Sequence, residues 1–299
     1  MKYYNNYIDL IGNTPIVKLN NIDFKSNVFA KMELLNPGGS VKDRMGRAVI
    51  EAAEKSGKLK RGGTIIEVTA GNTGIGIALA AIGKGYNIIF FVPLKFSQEK
   101  QDIMRILGAK IVNTPKDLGM QGAFEEAQKL LDSHPEYLYI RQFENQANPE
   151  SHFKTTGPEI WDDLDGNVDY LVAGAGSGGT ITGVGRYLKS KNPNVKIILA
   201  DPQGSTMGGG VAGCYGIEGI GNTFMPKTMD MSIVDEIFKI TDEESLFEIK
   251  ELAKKEGILS GTSSGAALAG VRKLGKVAGN VVVILPDRGD RYLSKGIFN

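Results

Sequence analysis

The sequence predicts an α/β protein with two units, each built on a largely parallel sheet. Three observations predict it. Short runs rich in Ile, Val, Phe and Tyr alternate with longer helical patterns, the runs are continuously apolar, and glycine closes most of the longer stretches. Continuous apolar runs suit strands covered on both faces, as parallel strands are. Strand, helix and strand at this spacing is βαβ architecture.

The elements follow in order. Strands are expected at 64–68 (TIIEV), 87–92 (NIIFFV), 110–113 (KIVN) and 137–140 (YLYI). Helices are expected at 43–56, stopped by Gly57, at 73–84, stopped by Gly85, at 98–107, stopped by Gly108, and at 119–132. Glycine just past a helix supplies the left-handed residue that satisfies its last carbonyls. The second half repeats the rhythm, with strands at 169–175, 195–200, 236–240 and 280–285 and helices at 178–190, 242–256 and 264–275. One unit thus occupies about 41–146 and the other begins near 147, with no Gly/Ser linker between them. Ligands in open α/β folds bind beyond the carboxyl ends of strands and between domains, so the segments following strands are where chemistry is sought.

Composition narrows the function. The 299 residues carry 35 Lys plus Arg against 34 Asp plus Glu, a net charge of +1 that gives no reason to expect a nucleic-acid partner. Cys214 is the only cysteine and His134 and His152 the only histidines, so neither an internal disulfide nor a Cys/His zinc cluster is available, and no metal is expected. The amino-terminal stretch has no signal-peptide pattern, and the apolar runs at 87–94 and 281–286 are too short to span a bilayer. A cytoplasmic protein is expected. The 39 glycines cluster in loops, where a backbone can approach a ligand closely.

Five segments can carry chemistry. NPGGSVKDR (36–44) turns at Asn36-Pro37-Gly38-Gly39, offers Ser40 as a cap and puts Lys42 at a helix start. A cation is disfavoured there, which favours a neutral, nucleophilic amine; the alternative is an ordinary surface lysine beside Asp43. EVTAGNTGIG (67–76) passes from strand to helix start, with Thr69, Asn72 and Thr73 as added donors for an anion, or as a plain cap and turn. LVAGAGSGGT (171–180) puts five amides, from Gly176 to Thr180, and the Ser177 and Thr180 hydroxyls around a phosphate-sized cup. It is neither a dinucleotide fingerprint nor a P-loop. ILSGTSSGAALAG (258–270) opens a helix with Ser264, either a site hydroxyl or an N-cap. RQFENQANP (141–149) offers Gln142 to an anion or to a loop cap. His152 reads as a packing or hydrogen-bonding residue, His134 as surface and Cys214 as buried filling.

Nine blocks in one order carry a resemblance: IGNTPIVKL (11–19), NPGGSVKDR (36–44), TAGNTGIG (69–76), QFENQANP (142–149), KTTGPEIW (154–161), GAGSGGTITG (174–183), DPQGS (201–205), IEGIG (217–221) and GTSSGAA (261–267). The chain resembles the β-family, or fold type II, of pyridoxal-phosphate enzymes, in its cysteine synthase and cystathionine β-synthase branch. The resemblance implies two three-layer αβα domains of tryptophan-synthase-β type with pyridoxal 5′-phosphate between them. The smaller, mobile domain would be 41–146 and bind the substrate carboxylate. The larger would combine 13–40 with 147–299 and bind the cofactor phosphate, while 1–12 packs across domains or a dimer.

The resemblance also implies residue roles. Lys42 would link to the cofactor and exchange the substrate's α-proton. Asn72 would bond the ring oxygen, Gly176, Ser177, Gly178, Gly179 and Thr180 the phosphate, and Ser264 the ring nitrogen. Thr69, Ala70, Gly71, Asn72, Thr73, Gln142 and Gly221 would meet the substrate. Residue 70 is Ala where many sulfhydrylases carry Ser, and IEGIGNTFMP (217–226) is more like cystathionine β-synthases, whereas GTSSGAA is more like sulfhydrylases. That mixture is similar to bacterial O-acetylserine-dependent cystathionine β-synthases. The expected reaction is β-replacement on O-acetylserine or serine with homocysteine. Sulfide as acceptor is second, and release of hydrogen sulfide from cysteine third. A phospho-ligand-binding protein without chemistry is the alternative of another class. A homodimer is expected, with the carboxyl-terminal tail of serine acetyltransferase as a further partner, and neither heme nor S-adenosylmethionine control.

Overall fold

The computed structural model describes residues 3–69, 71–94 and 96–298. In chain order the strands are β1 (Ile16–Lys18), β2 (Asn27–Lys31), β3 (Thr64–Val68), β4 (Asn87–Pro93), β5 (Lys110–Thr114), β6 (Leu138–Tyr139), β7 (Tyr170–Gly174), β8 (Lys196–Pro202), β9 (Glu236–Ile240) and β10 (Asn280–Ile284). The helices are α1 (Lys42–Lys55), α2 (Asn72–Ala81), α3 (Gln98–Ile106), α4 (Gly119–Ser133), α5 (Ala147–Lys154), α6 (Thr156–Asp163), α7 (Gly179–Lys191), α8 (Asp242–Glu256) and α9 (Thr262–Leu274).

Two sheets result. The smaller runs β5-β4-β3-β6 and is parallel throughout. The larger runs β1-β2-β10-β7-β8-β9, parallel except for the β1–β2 pair at its edge. Both are three-layer. In the larger sheet Val281 and Val283 face a core shared with Leu268 of α9, while Val282 and Ile284 face Ile181 and Val184 of α7. In the smaller sheet Ile65 and Phe90 pack on Met45 of α1, Ile75 of α2 and Met104 of α3, and Val68 and Phe91 pack on Ala123 and Ala127 of α4. Side chains alternate between faces along a strand, so a run with no polar position needs both faces covered. That is why these runs are readable as strands.

β1 and β2 escape the periodicity. NVFAK has polar ends and an exposed first residue, and it becomes a strand because β10, from the far end of the chain, pairs alongside it with Val282 opposite Phe29. α2 ends at Ala81, earlier than the expected Lys84, because the chain turns through Gly83 and Gly85, both in the left-handed region at φ +75° and +73°. Among the described residues no helix is long and apolar enough to cross a membrane.

α1 and α2 touch backbone to backbone. A Cβ on Gly46 would lie 2.3 Å from the Gly76 carbonyl carbon, and one on Gly76 would lie 2.5 Å from the Lys42 carbonyl oxygen. No side chain can swing away there, so the overpacking strains two helices at once. Gly76→Val is expected to lower stability by about 1–3 kcal/mol and to displace the first turn of α1. Urea unfolding checks this, and an unchanged midpoint would contradict the contact.

Candidate active site

The loops after β3 and β10 meet directly, Asn72 donating to Asp287 at 2.6 Å, and the loop after β7 is tied to the end of β6 through Asn148. Lys42 is the first residue of α1, half-buried, with Ser40 Oγ accepting its backbone N–H at 3.3 Å. Burial pushes its amine down from 10.5 to about 8, and the Asp287 carboxylate only partly opposes this. An amine near 8 is about one-tenth unprotonated at pH 7 and about half at pH 8, far more than an ordinary lysine, and the neutral form is the state a nucleophile needs. Asp43 turns back to accept the Gly38 N–H at 2.5 Å, closing the 36–39 turn; burial pushes its carboxyl up to about 7.

The loop after β3 is drawn tight around Thr69, whose Oγ1 accepts the N–H groups of Gly71 (3.0 Å) and Gly74 (3.2 Å). Gly71, at φ +144°, lies under the stem of Lys100, which a Cβ would strike at 2.4 Å. Ala70 lies outside the described residues. Thr73 donates to Gln142 Oε1 at 2.7 Å, and Gln142 Nε2 donates to the Val68 carbonyl at 3.1 Å, so loop and β6 end are one unit. Glu67 braces both from below, accepting the N–H of Val68 at 2.7 Å and of Gln142 at 3.1 Å. Burial raises its carboxyl to about 8.

The loop after β7 leads into α7. Gly178 is its left-handed N-cap at φ +82°, and Gly179 opens the helix. The turn is fixed on its outer side: Asn222 Nδ2 donates to the Gly176 carbonyl (2.5 Å) and Thr228 Oγ1 to the Ser177 carbonyl (2.5 Å). The loop amides at a helix start, with the Ser177 and Thr180 hydroxyls, form a donor set suited to a phosphate. Gly221, at φ +79°, donates its N–H to the Ala175 carbonyl at 2.8 Å beside this loop. Ser264 is not an N-cap; Gly261 holds that position, and Ser264 Oγ is fully buried without a hydrogen-bond partner. An orphaned buried hydroxyl is costly unless something completes it.

Sequence reasoning missed the residues after β10. Asn72 donates to Asp287 Oδ2 at 2.6 Å and accepts from Arg291 at 2.9 Å, and Tyr292 donates to the same Asp287 oxygen at 2.5 Å. The signal that finds them is the one used for the other loops, because PDRGDRY directly follows a strand. Lys100 was missed as well. It is buried, donates to Tyr292 OH at 2.9 Å and to Glu218 at 3.2 Å, and so joins α3 of the smaller unit to the larger one. Cys214 is exposed rather than buried filling, because the 208–216 segment runs over the surface. His134 is on the surface as expected, and His152 is a buried hydrogen-bonding residue.

Residues 7–287 match the pyridoxal-phosphate dependent enzyme family. The chain is 50% identical over 295 residues to the O-acetylserine dependent cystathionine beta-synthase of Bacillus subtilis, covering 97% of this chain and 96% of that one. It is 46% identical over 299 residues to a cysteine synthase of Helicobacter pylori, covering 97% and 98%. The crystal structure of an O-acetylserine dependent cystathionine beta-synthase from Helicobacter pylori superposes with a TM-score of 0.94 at 45% identity over the whole of both chains. A phosphate cup at a helix start, a lysine of lowered pKa and a buried hydroxyl awaiting a partner fit such a cofactor. The chain therefore belongs to the pyridoxal-phosphate dependent enzyme family, and its cofactor is pyridoxal phosphate.

Proposed function

We propose that the protein exchanges the β-substituent of O-acetyl-L-serine, or of L-serine, for a thiol, with homocysteine the preferred acceptor and cystathionine the product. The observation that carries the choice of acceptor is Glu218. Its carboxylate sits between Lys100 at 3.2 Å and Lys295, beside the Gly71 turn that Lys100 covers. Homocysteine carries an ammonium and a carboxylate for such a cluster to meet; sulfide carries neither. The likeness to the Bacillus subtilis enzyme supports the same choice.

In this reading Lys42 holds the cofactor by its amine, the 176–180 loop takes the phosphate, Ser264 completes its hydrogen bonding on the ring nitrogen and Asn72 turns to the ring oxygen. The bound cofactor supplies an electron sink for the charge left at the substrate's Cα. The protein's own residues do the rest. Thr69, Gly71, Thr73 and Gln142 hold the substrate carboxylate through hydroxyl, amide and side-chain donors. The Lys42 amine takes the proton from Cα and returns it after the thiol has bonded to Cβ. Before that the Cβ–O bond breaks with its electron pair, releasing acetate from O-acetylserine or, once the hydroxyl has gained a proton, water from serine. The acceptor then bonds to Cβ as its thiolate, its proton having gone to solvent. The unit 41–146 closes on the carboxylate and excludes water. Homodimerisation and work in the cytoplasm belong to the same reading.

A competition assay tests the acceptor. Cofactor-loaded protein is given O-acetylserine with equal concentrations of homocysteine and sulfide, and the products are identified by mass spectrometry. Cystathionine is expected in excess. Cysteine in excess would make this a cysteine synthase and remove the role given to Glu218.

A further inference from the structure

Behind the phosphate cup lies a second row of polar side chains that no step above uses. Asn148 and His152 are both about 1% exposed, and both sit on α5 four residues apart, on one helix face. Asn148 Nδ2 donates to Ser177 Oγ at 2.9 Å, and also to the Gln142 carbonyl at 3.0 Å. His152 Nε2 lies 3.2 Å from Thr180 Oγ1, while its Nδ1 lies 2.9 Å from Thr156 Oγ1. α5 is pressed on α7 closely enough that a Cβ on Gly179 would meet Asn148 Oδ1 at 2.0 Å, and one on Gly183 would meet the Pro149 carbonyl at 2.1 Å. The two hydroxyls that line the cup are thus each backed by a buried group on one rigid helix.

We propose that Asn148 and His152 are positioning residues that aim the Ser177 and Thr180 hydroxyl protons at the cofactor phosphate. A phosphate dianion only accepts hydrogen bonds, so each hydroxyl must give it its one proton. A hydroxyl does so reliably when its oxygen is already accepting from behind. Asn148 fills that place for Ser177 through its N–H. His152 fills it for Thr180 in the Nε2–H form, with Thr156 donating to Nδ1 and so selecting that tautomer. Burial pushes the imidazole down to about 3, with the Arg44 charge acting in the same direction, so the ring stays neutral and keeps Nδ1 free to accept. Because Asn148 also holds the Gln142 carbonyl, one residue ties the phosphate loop to the end of β6.

This inference rests on the phosphate lying in the 176–180 loop, and the experiment separates the two. Affinity of the apoprotein for pyridoxal phosphate is measured for wild type, Thr180→Val, His152→Met, His152→Gln and the double variant T180V/H152M, with the 31P resonance of the bound phosphate as a second readout. Thr180→Val and His152→Met are each expected to weaken binding about tenfold, the size of one hydrogen bond to a charged group. The double variant is expected to be no weaker than T180V alone, because both changes remove one chain of bonds. His152→Gln, which keeps an N–H at the Nε2 position, is expected to stay within about threefold of wild type. Both valine and methionine variants should shift the phosphorus signal. Additive losses in the double variant, or a His152→Met protein with unchanged affinity and signal, would overturn the role of His152. An unchanged Thr180→Val would instead remove the phosphate from this loop. Should His152→Met not fold, Thr156→Val tests the same chain from its far end, with weaker binding and a shifted signal expected and no change overturning the proposal.

Discussion

Alanine at position 42 is expected to abolish turnover, lowering kcat/KM by about 10⁴-fold or more, because one amine is asked both to hold the cofactor and to move the α-proton. The same variant is expected to lack the visible band that borohydride bleaches in the wild type, and the peptide carrying residue 42 should show no added cofactor mass after reduction. A coloured Lys42→Ala protein with residual activity near that of wild type would sink the assignment. A colourless wild type indifferent to pyridoxal phosphate would favour a ligand-binding protein without chemistry. The site also fixes a pH dependence. The folded-state amine titrates near 8 instead of 10.5, chiefly through burial. The reactive neutral form therefore accumulates as pH rises to about 8 and is nearly complete above 9. Loading of the apoprotein should climb over the same range and then level off, whereas a rate still climbing towards 10.5 would mean a solvated lysine.

Glu33→Ala is expected to cost about 3–5 kcal/mol of stability, the usual penalty for leaving one partner of a buried ion pair alone. Glu33 is fully buried, and Arg44, two residues past Lys42, is nearly so. Arg44 donates to both carboxylate oxygens, at 2.7 Å and 2.8 Å, while Thr14 donates at 2.6 Å and Asn36 at 2.9 Å. Arg44 also reaches Glu159 at 2.6 Å, and Lys31 meets Glu159 at 2.9 Å, so the cluster pins α1, α6 and β2 together. Burial alone would raise the Glu33 carboxyl. The Arg44 charge and the hydrogen bonds outweigh it and hold the group at about 2, against 4.5 when unfolded. A depressed carboxyl contributes stability that is complete above the unfolded value and lost as pH falls from about 4.5 to 2. The gap between wild type and Glu33→Ala in urea unfolding should therefore be full at pH 7 and narrow across that window. A gap under about 1 kcal/mol at pH 7 would show that the pair is not load-sharing as the geometry states. Loss of the start of α1 should also release cofactor from the variant, which links this pair to Lys42.

The sequence by itself determined the layer order and the addresses of the loops. Runs such as TIIEV and NVVVIL are dominated by consecutive Ile, Val and Leu, and such a run favours a strand with both faces covered. Glycines at 57 and 108 mark helix ends because the left-handed region suits residues without a Cβ. Lys42, Asn72, the 176–180 loop and Ser264 could be singled out as candidates because each lies at or near a helix start after a turn of small residues. What only the tertiary structure decided lies across long separations in the chain. β1 and β2 are strands through pairing that ends on β10, not through any pattern of their own. Asp287, Arg291 and Tyr292 reach Asn72, and Lys100 reaches Glu218, between the units built on the two sheets. His152 reads in the sequence as a packing or hydrogen-bonding residue, but its partners are set only when α5 lies against α7 and places its ring between Thr156 and Thr180. Periodicity records which face of an element is covered, because every residue feels burial locally. It carries no record of which distant side chain completes a hydrogen bond, because that depends on where the rest of the chain comes to lie.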